Sequence, residues 1–148
     1  MEKETIRRLI AAADSARQQA YAPYSGFQVG CAVLCRSGKI YTGVNVENAS
    51  YPVGLCAERA AFSAAVTAGE RDFAAAAIIG GWGERKIWCS PCGMCRQFMA
   101  ELSAGDLPIF LAKDPEDFRC LTLRDLLPAG FSLSEDEETG GTFDAASG

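Results

Sequence analysis

Residues 74–80 read AAAAIIG, an apolar run with no polar alternation, and the spacing predicts a strand buried inside a sheet. Helices flank this strand in the sequence. Upstream, Cys56 to Ala68 is an Ala-rich helix stopped by Gly69, a residue that favours the left-handed position after a helix end. Downstream, Pro91 sits where a helix starts, since its missing N–H costs nothing there. That helix runs from Cys92 to Ser103 with Met94, Phe98, Met99 and Leu102 available for packing. Ile109 to Ala112 then gives a fourth strand, so the centre of the chain alternates helix, strand, helix, strand.

Outward from this centre, Glu4 to Ala20 carries Ile6, Leu9, Ile10, Ala13 and Ala16 at helical spacing, an amphipathic first helix that AYAPYSG breaks. Phe27 to Cys35 and Lys39 to Val46 are largely β-branched and apolar, and Ser37-Gly38 between them suits a hairpin. Asn48 to Gly54 reads as a loop, Cys120 to Leu123 as a fifth strand, and Leu123 to Leu127 as a short turn of helix. The expected architecture is α/β, a three-layer α/β/α sandwich with a mixed five-stranded sheet. It forms one domain over residues 1–133, followed by an acidic, Gly-rich tail at 134–148 that is too polar to order itself.

Composition limits the function. A chain of 148 residues with 49% hydrophobic content can build one core, and its net charge of −5 opposes a phosphate backbone, so no nucleic-acid partner is expected. The N-terminus MEKETIRRLIAAADSARQQA has no uninterrupted apolar core, and no stretch reaches the roughly 20 apolar residues that span a bilayer, so a cytoplasmic protein without membrane contact is expected. Histidine is absent and seven cysteines are present. Any transition-metal site must therefore use thiolates and carboxylates, and in a reducing compartment compact cysteine motifs suggest metal before disulfides.

Those motifs are CAER at Cys56 to Arg59 and PCGMCR at Pro91 to Arg96, each at the first turn of a predicted helix. The helix dipole there favours thiolates. Cys92 and Cys95 lie on one helix face, and with Cys56 they can hold one zinc ion while leaving a fourth position for water, the arrangement of a catalytic site. Three thiolates make zinc a poorer Lewis acid, and Arg59 is the cation placed to offset them. Glu58, two residues beyond Cys56, is the candidate proton carrier.

Two other readings share these residues. Cys89, Cys92 and Cys95 form a C-x2-C-x2-C run that resembles the start of an iron–sulfur motif, although Met99 stands where a fourth cysteine is expected. A closed structural zinc held by Cys56, Cys89, Cys92 and Cys95, in a module that is not an enzyme, is the second; it leaves Glu58 without a role. Cys31, Cys35 and Cys120 read as packed core thiols.

The segments YAPYSGFQVGCAV, GVNVENASYP, CAERAA, SPCGMCRQ and LLPAGF, from about Tyr21 to Phe131, resemble those of the small, homotetrameric zinc-dependent cytidine deaminases, in the same order. The C-x-E and P-C-x-x-C pair is similar to the zinc-deaminase signature in an all-cysteine form. The resemblance implies hydrolysis of cytidine and 2′-deoxycytidine in pyrimidine salvage, with zinc activating water and Glu58 moving protons. It implies that Asn45 and Glu47 hydrogen-bond the ribose 3′-hydroxyl, that Phe27 packs on the pyrimidine and that the Ala57 N–H lies near the C2 carbonyl. It also implies that Tyr51 and Phe131 complete a neighbouring subunit's pocket in a homotetramer. Deaminases of other aminated rings, such as blasticidin S, share the metal motifs but do not need Glu47, which favours cytidine.

Overall fold

The computed structural model describes residues 1–133. The acidic tail expected at 134–148 lies outside the described residues. Helix α1 (Lys3–Arg17) has Glu4 in its first turn and Arg17 in its last, charges that complement the helix dipole, and buries Leu9, Ile10 and Ala13. Strands β1 (Gln28–Cys35) and β2 (Ile40–Val44) form the expected hairpin. A single 3₁₀ turn at Tyr51–Val53 leads to α2 (Ala57–Thr67).

Next come β3 (Phe73–Trp82), β4 (Arg85–Ile87), α3 (Gly93–Leu102), β5 (Pro108–Asp114), β6 (Asp117–Thr122) and the short α4 (Leu123–Leu126). The sheet order is β2-β1-β3-β5-β6. The β3 and β5 pair is parallel and the other neighbours are antiparallel, which makes the sheet mixed as expected.

The structure adds a sixth strand to the expected five. β3 runs two residues past the apolar run and turns at Gly83 (φ 55°) into β4, which pairs Gly80↔Ile87, Gly81↔Lys86 and Trp82↔Arg85. Gly83 accepts the positive φ that a two-residue hairpin loop demands. The fifth expected strand is also longer. Asp114 Oδ1 accepts the N–H groups of Glu116 and Asp117, a side-chain turn that starts β6 at Asp117 instead of Cys120. Cys120, expected in the core, is exposed on this edge strand.

Side chains alternate across the sheet. Cys31, Val33, Ala76, Ile78, Ile109 and Leu111 face α2 and α3, where Ala61, Phe62, Cys95 and Met99 complete one core. Ala32, Ala75, Ala77, Ile79, Phe110 and Ala112 face α1 and pack with Leu9, Ile10 and Ala13. The sheet therefore lies between two helix layers. Each fully buried large apolar side chain, such as Phe62 or Ile78, contributes about 1.5–3 kcal/mol of transfer free energy.

Gly43 permits the close approach of α2 to the sheet, because an added Cβ there meets the Ala61 N at 2.3 Å and the Ala57 O at 2.7 Å. This contact fixes how far the first turn of α2 stands from β2. Among the described residues, no helix is long and apolar enough to cross a membrane.

Candidate active site

The first turns of α2 and α3 meet near the C-terminal end of β3. Cys56 is the N-cap of α2 and Cys92 the N-cap of α3, each in extended backbone with no side-chain cap hydrogen bond, so both thiols stay available. Cys95 lies one turn into α3 and is fully buried. The three sulfur atoms all lie within 4.8 Å of one another. The Cys56–Cys92 separation is 3.9 Å and the Cys92–Cys95 separation is 3.6 Å.

These spacings suit a tetrahedral ion. Thiolates about 2.3 Å from zinc in tetrahedral geometry are about 3.8 Å apart, so the donor set fits zinc. Cys89 lies outside this group. It packs against the core beside Gly80, and burial, its largest influence, pushes its thiol up to about 12.

Charge in the cluster is organised before a metal arrives. The Cys56 thiol is drawn below its ordinary range by hydrogen bonding from the Cys95 thiol first and by the Arg59 guanidinium as well, whose Nη2 lies 3.3 Å from the Cys56 Sγ. Cys95 is pushed up because it supplies that proton and is buried. Arg59 also donates to the Gly54 carbonyl at 3.5 Å, and its buried Nε has no acceptor among the described residues.

Glu58 is only 4% exposed. Burial, the largest influence, pushes its carboxyl up from its ordinary value, against the hydrogen bond with the Cys95 thiol, which lowers it. A carboxyl held in this way keeps its proton to higher pH than an exposed one.

A cavity of about 570 Å³ opens beside the cluster, lined by Asn45, Glu47, Tyr51, Cys56 and Arg59 together with Tyr24, Ser25, Leu55 and Met94. Tyr51 is exposed and meets Tyr24 edge-on at 6.2 Å between ring centroids. Met94, available for packing by its spacing, is 64% exposed, because it lies on the cavity side of a first turn whose next residue, Cys95, takes the buried position. Ala57, Glu58, Phe27 and Phe131 are not among the lining residues. Ala57 and Glu58 are buried directly behind Cys56 in the chain, whereas Phe131 is exposed, and its carbonyl accepts from Gln97 at 3.1 Å.

Asn45 and Glu47 lie just past the end of β2. The Asn45 amide bridges the Phe27 carbonyl and the Val29 N–H, each at 2.8 Å, which leaves one N–H and one lone pair for a ligand. Glu47 accepts from the Tyr24 and Ser25 N–H groups and from the Ser25 hydroxyl, and the hydroxyl is the largest cause of its lowered pKa. Phe27 packs on Trp82 at 4.7 Å between centroids, and Arg85 lies over the Trp82 ring. Sequence reasoning left Tyr24, Ser25 and Trp82 without roles and gave Met94 only a packing one. For Ser25, the signal was a hydroxyl in a Tyr-Ser-Gly turn.

The family model for the cytidine and deoxycytidylate deaminase zinc-binding region matches residues 3–111. The chain belongs to this deaminase family. The cytidine deaminase of Sporosarcina psychrophila is 44% identical over 130 residues, covering 88% of this chain and 93% of that protein. The cytidine deaminase of Halalkalibacterium halodurans is 42% identical over 127 residues, covering 86% and 94%. Among solved structures, the cytidine deaminase of Burkholderia pseudomallei matches with a TM-score of 0.77 and 47% identity, covering 84% of this chain and 97% of that one. The matched family region is a zinc-binding one, and the sulfur spacing of the three-cysteine cluster suits that ion.

Proposed function

We propose that this chain hydrolyses the exocyclic amine of cytidine and 2′-deoxycytidine, giving uridine or 2′-deoxyuridine and ammonia. The observation that carries this reading is the juxtaposition of a zinc-fitting thiol triad, a buried Glu58 and a cavity lined by Asn45 and Glu47. Cys56, Cys92 and Cys95 hold the zinc. When bound, zinc supplies the Lewis acidity that brings the pKa of water down toward neutrality. Arg59 neutralises part of the thiolate charge.

Glu58 takes a proton from the attacking water and delivers it to N3 of the base while the oxygen adds to C4. It then takes the remaining proton from the new C4 hydroxyl and gives it to the amine, so that the C4–N bond breaks, the C4 carbonyl forms and ammonia leaves. The Ala57 N–H orients the C2 carbonyl, Phe27 packs against the ring, and Asn45 and Glu47 take the ribose 3′-hydroxyl. A carboxylate and an amide suit that hydroxyl because together they offer both acceptor and donor.

The chain works in pyrimidine salvage in the cytoplasm as a homotetramer, in which Tyr51 and Phe131 reach a neighbouring subunit's pocket. The 78% and 67% exposure of these two rings, together with exposed Val53 and Met94, leaves apolar surface that such an assembly covers. Ammonia release from cytidine, 2′-deoxycytidine and blasticidin S, assayed side by side, tests the substrate. Release from the two nucleosides supports the reading, and release from blasticidin S alone overturns it.

A further inference from the structure

We propose that Ser25 is a positioning residue for nucleoside binding, its hydroxyl coupling the ribose contact Glu47 to the base contact Phe27. The inference rests on the ribose-binding reading of Glu47 given above.

The hydrogen bonds have a fixed direction. The Phe27 N–H donates to the Ser25 Oγ at 3.0 Å, and the single Ser25 proton goes to the Glu47 Oε2 at 2.5 Å. On the other carboxylate oxygen, the N–H groups of Tyr24 and Ser25 reach Oε1 at 3.0 and 3.1 Å. Two donors fill the lone pairs of Oε1, whereas Oε2 has one donor and one open lone pair. Oε2 is therefore the oxygen that can receive a sugar hydroxyl, and it is the oxygen that Ser25 orients.

Asn45 completes the frame from the other side. Its Nδ2 holds the Phe27 carbonyl at 2.8 Å, so the backbone of Phe27 is gripped at N–H and C=O by two side chains that line the cavity. The chain of donors runs from the Phe27 N–H through the Ser25 hydroxyl to Glu47, and a ligand hydroxyl would close it. An ionised acceptor strengthens each bond in such a chain. Ser25 is exposed, so truncating it opens no cavity in the core.

Binding that is equal in ground and transition states appears in KM. Ser25→Ala should raise KM for cytidine about tenfold with kcat within about twofold of wild type, and Ser25→Thr, which keeps the hydroxyl, should restore KM to within about threefold. On 3′-deoxycytidine, which lacks the hydroxyl that meets Oε2, Ser25→Ala and wild type should agree within about twofold. An equal penalty on both nucleosides would overturn the coupling to Glu47. Glu47→Gln, measured in parallel, separates the two failures. A raised KM in Glu47→Gln with none in Ser25→Ala overturns the role of Ser25 alone, whereas an unchanged KM in Glu47→Gln removes the ribose reading on which it rests.

Discussion

The Nη2 of Arg59 lies 3.3 Å from the Sγ of Cys56, three residues apart at the start of one helix. A guanidinium keeps its charge at any working pH, so it offsets thiolate charge whether or not metal is present. Arg59→Gln should weaken zinc binding or lower kcat/KM by roughly 10- to 100-fold, the range for partners that orient or neutralise metal ligands. Competition with a chromogenic chelator measures the first and a cytidine assay the second. Unchanged values in both would remove Arg59 from the site.

Cys92 is an N-cap whose thiol reaches Cys56 at 3.9 Å and Cys95 at 3.6 Å. Cys92→Ser should lose both zinc and turnover, and chelation of the wild type should abolish activity that added zinc restores. Cys89→Ser should keep its zinc, since Cys89 lies outside the sulfur group. Metal analysis of the two variants separates the three-cysteine site from the closed four-cysteine alternative.

Gly43 sets the distance between β2 and α2. Gly43→Ala puts a Cβ 2.3 Å from the Ala61 N, and neither partner can swing away because both are backbone. The helix must shift, at a cost of about 1–3 kcal/mol, so Tm should fall by about 2–12 °C. Gly93→Ala is the contrast, because its Cβ meets nothing within 4 Å and should leave Tm unchanged or slightly higher. Calorimetry of both variants checks the pair.

The helices and the first three strands were legible because their apolar spacing follows burial on one face or two. The apolar run at 74–80 becomes the middle of β3, and the Pro91 and Gly69 signals fall within two residues of real helix ends. Strand β4 was not legible from periodicity. Its three residues, Arg85, Lys86 and Ile87, are mostly charged, and they pair because Gly83 turns the chain back on β3. The same hairpin accounts for Trp82, whose ring packs on Phe27.

The thiol triad was legible for a different reason. Sequence spacing places Cys92 and Cys95 on one turn, but only the meeting of two helix starts brings Cys56 to them. Contacts between distant loops had no such signal. The bonds from Tyr24 and Ser25 to Glu47 span 22 or 23 residues and depend on where β2 ends. Met94 shows the converse, since its helical position suggests packing while the start of α3 leaves it at the cavity.

The most direct test of the central claim is the ultraviolet absorbance of cytidine incubated with purified protein of known zinc content, with Glu58→Gln at equal zinc as the control. The account predicts one zinc per chain in both proteins and loss of the cytidine signal with the wild type. In the Glu58→Gln protein the rate should fall by about 10²–10⁴-fold, the usual contribution of a positioned proton carrier. A folded, zinc-loaded Glu58→Gln protein with near-normal turnover, or a zinc-loaded wild type that leaves cytidine unchanged, would contradict it.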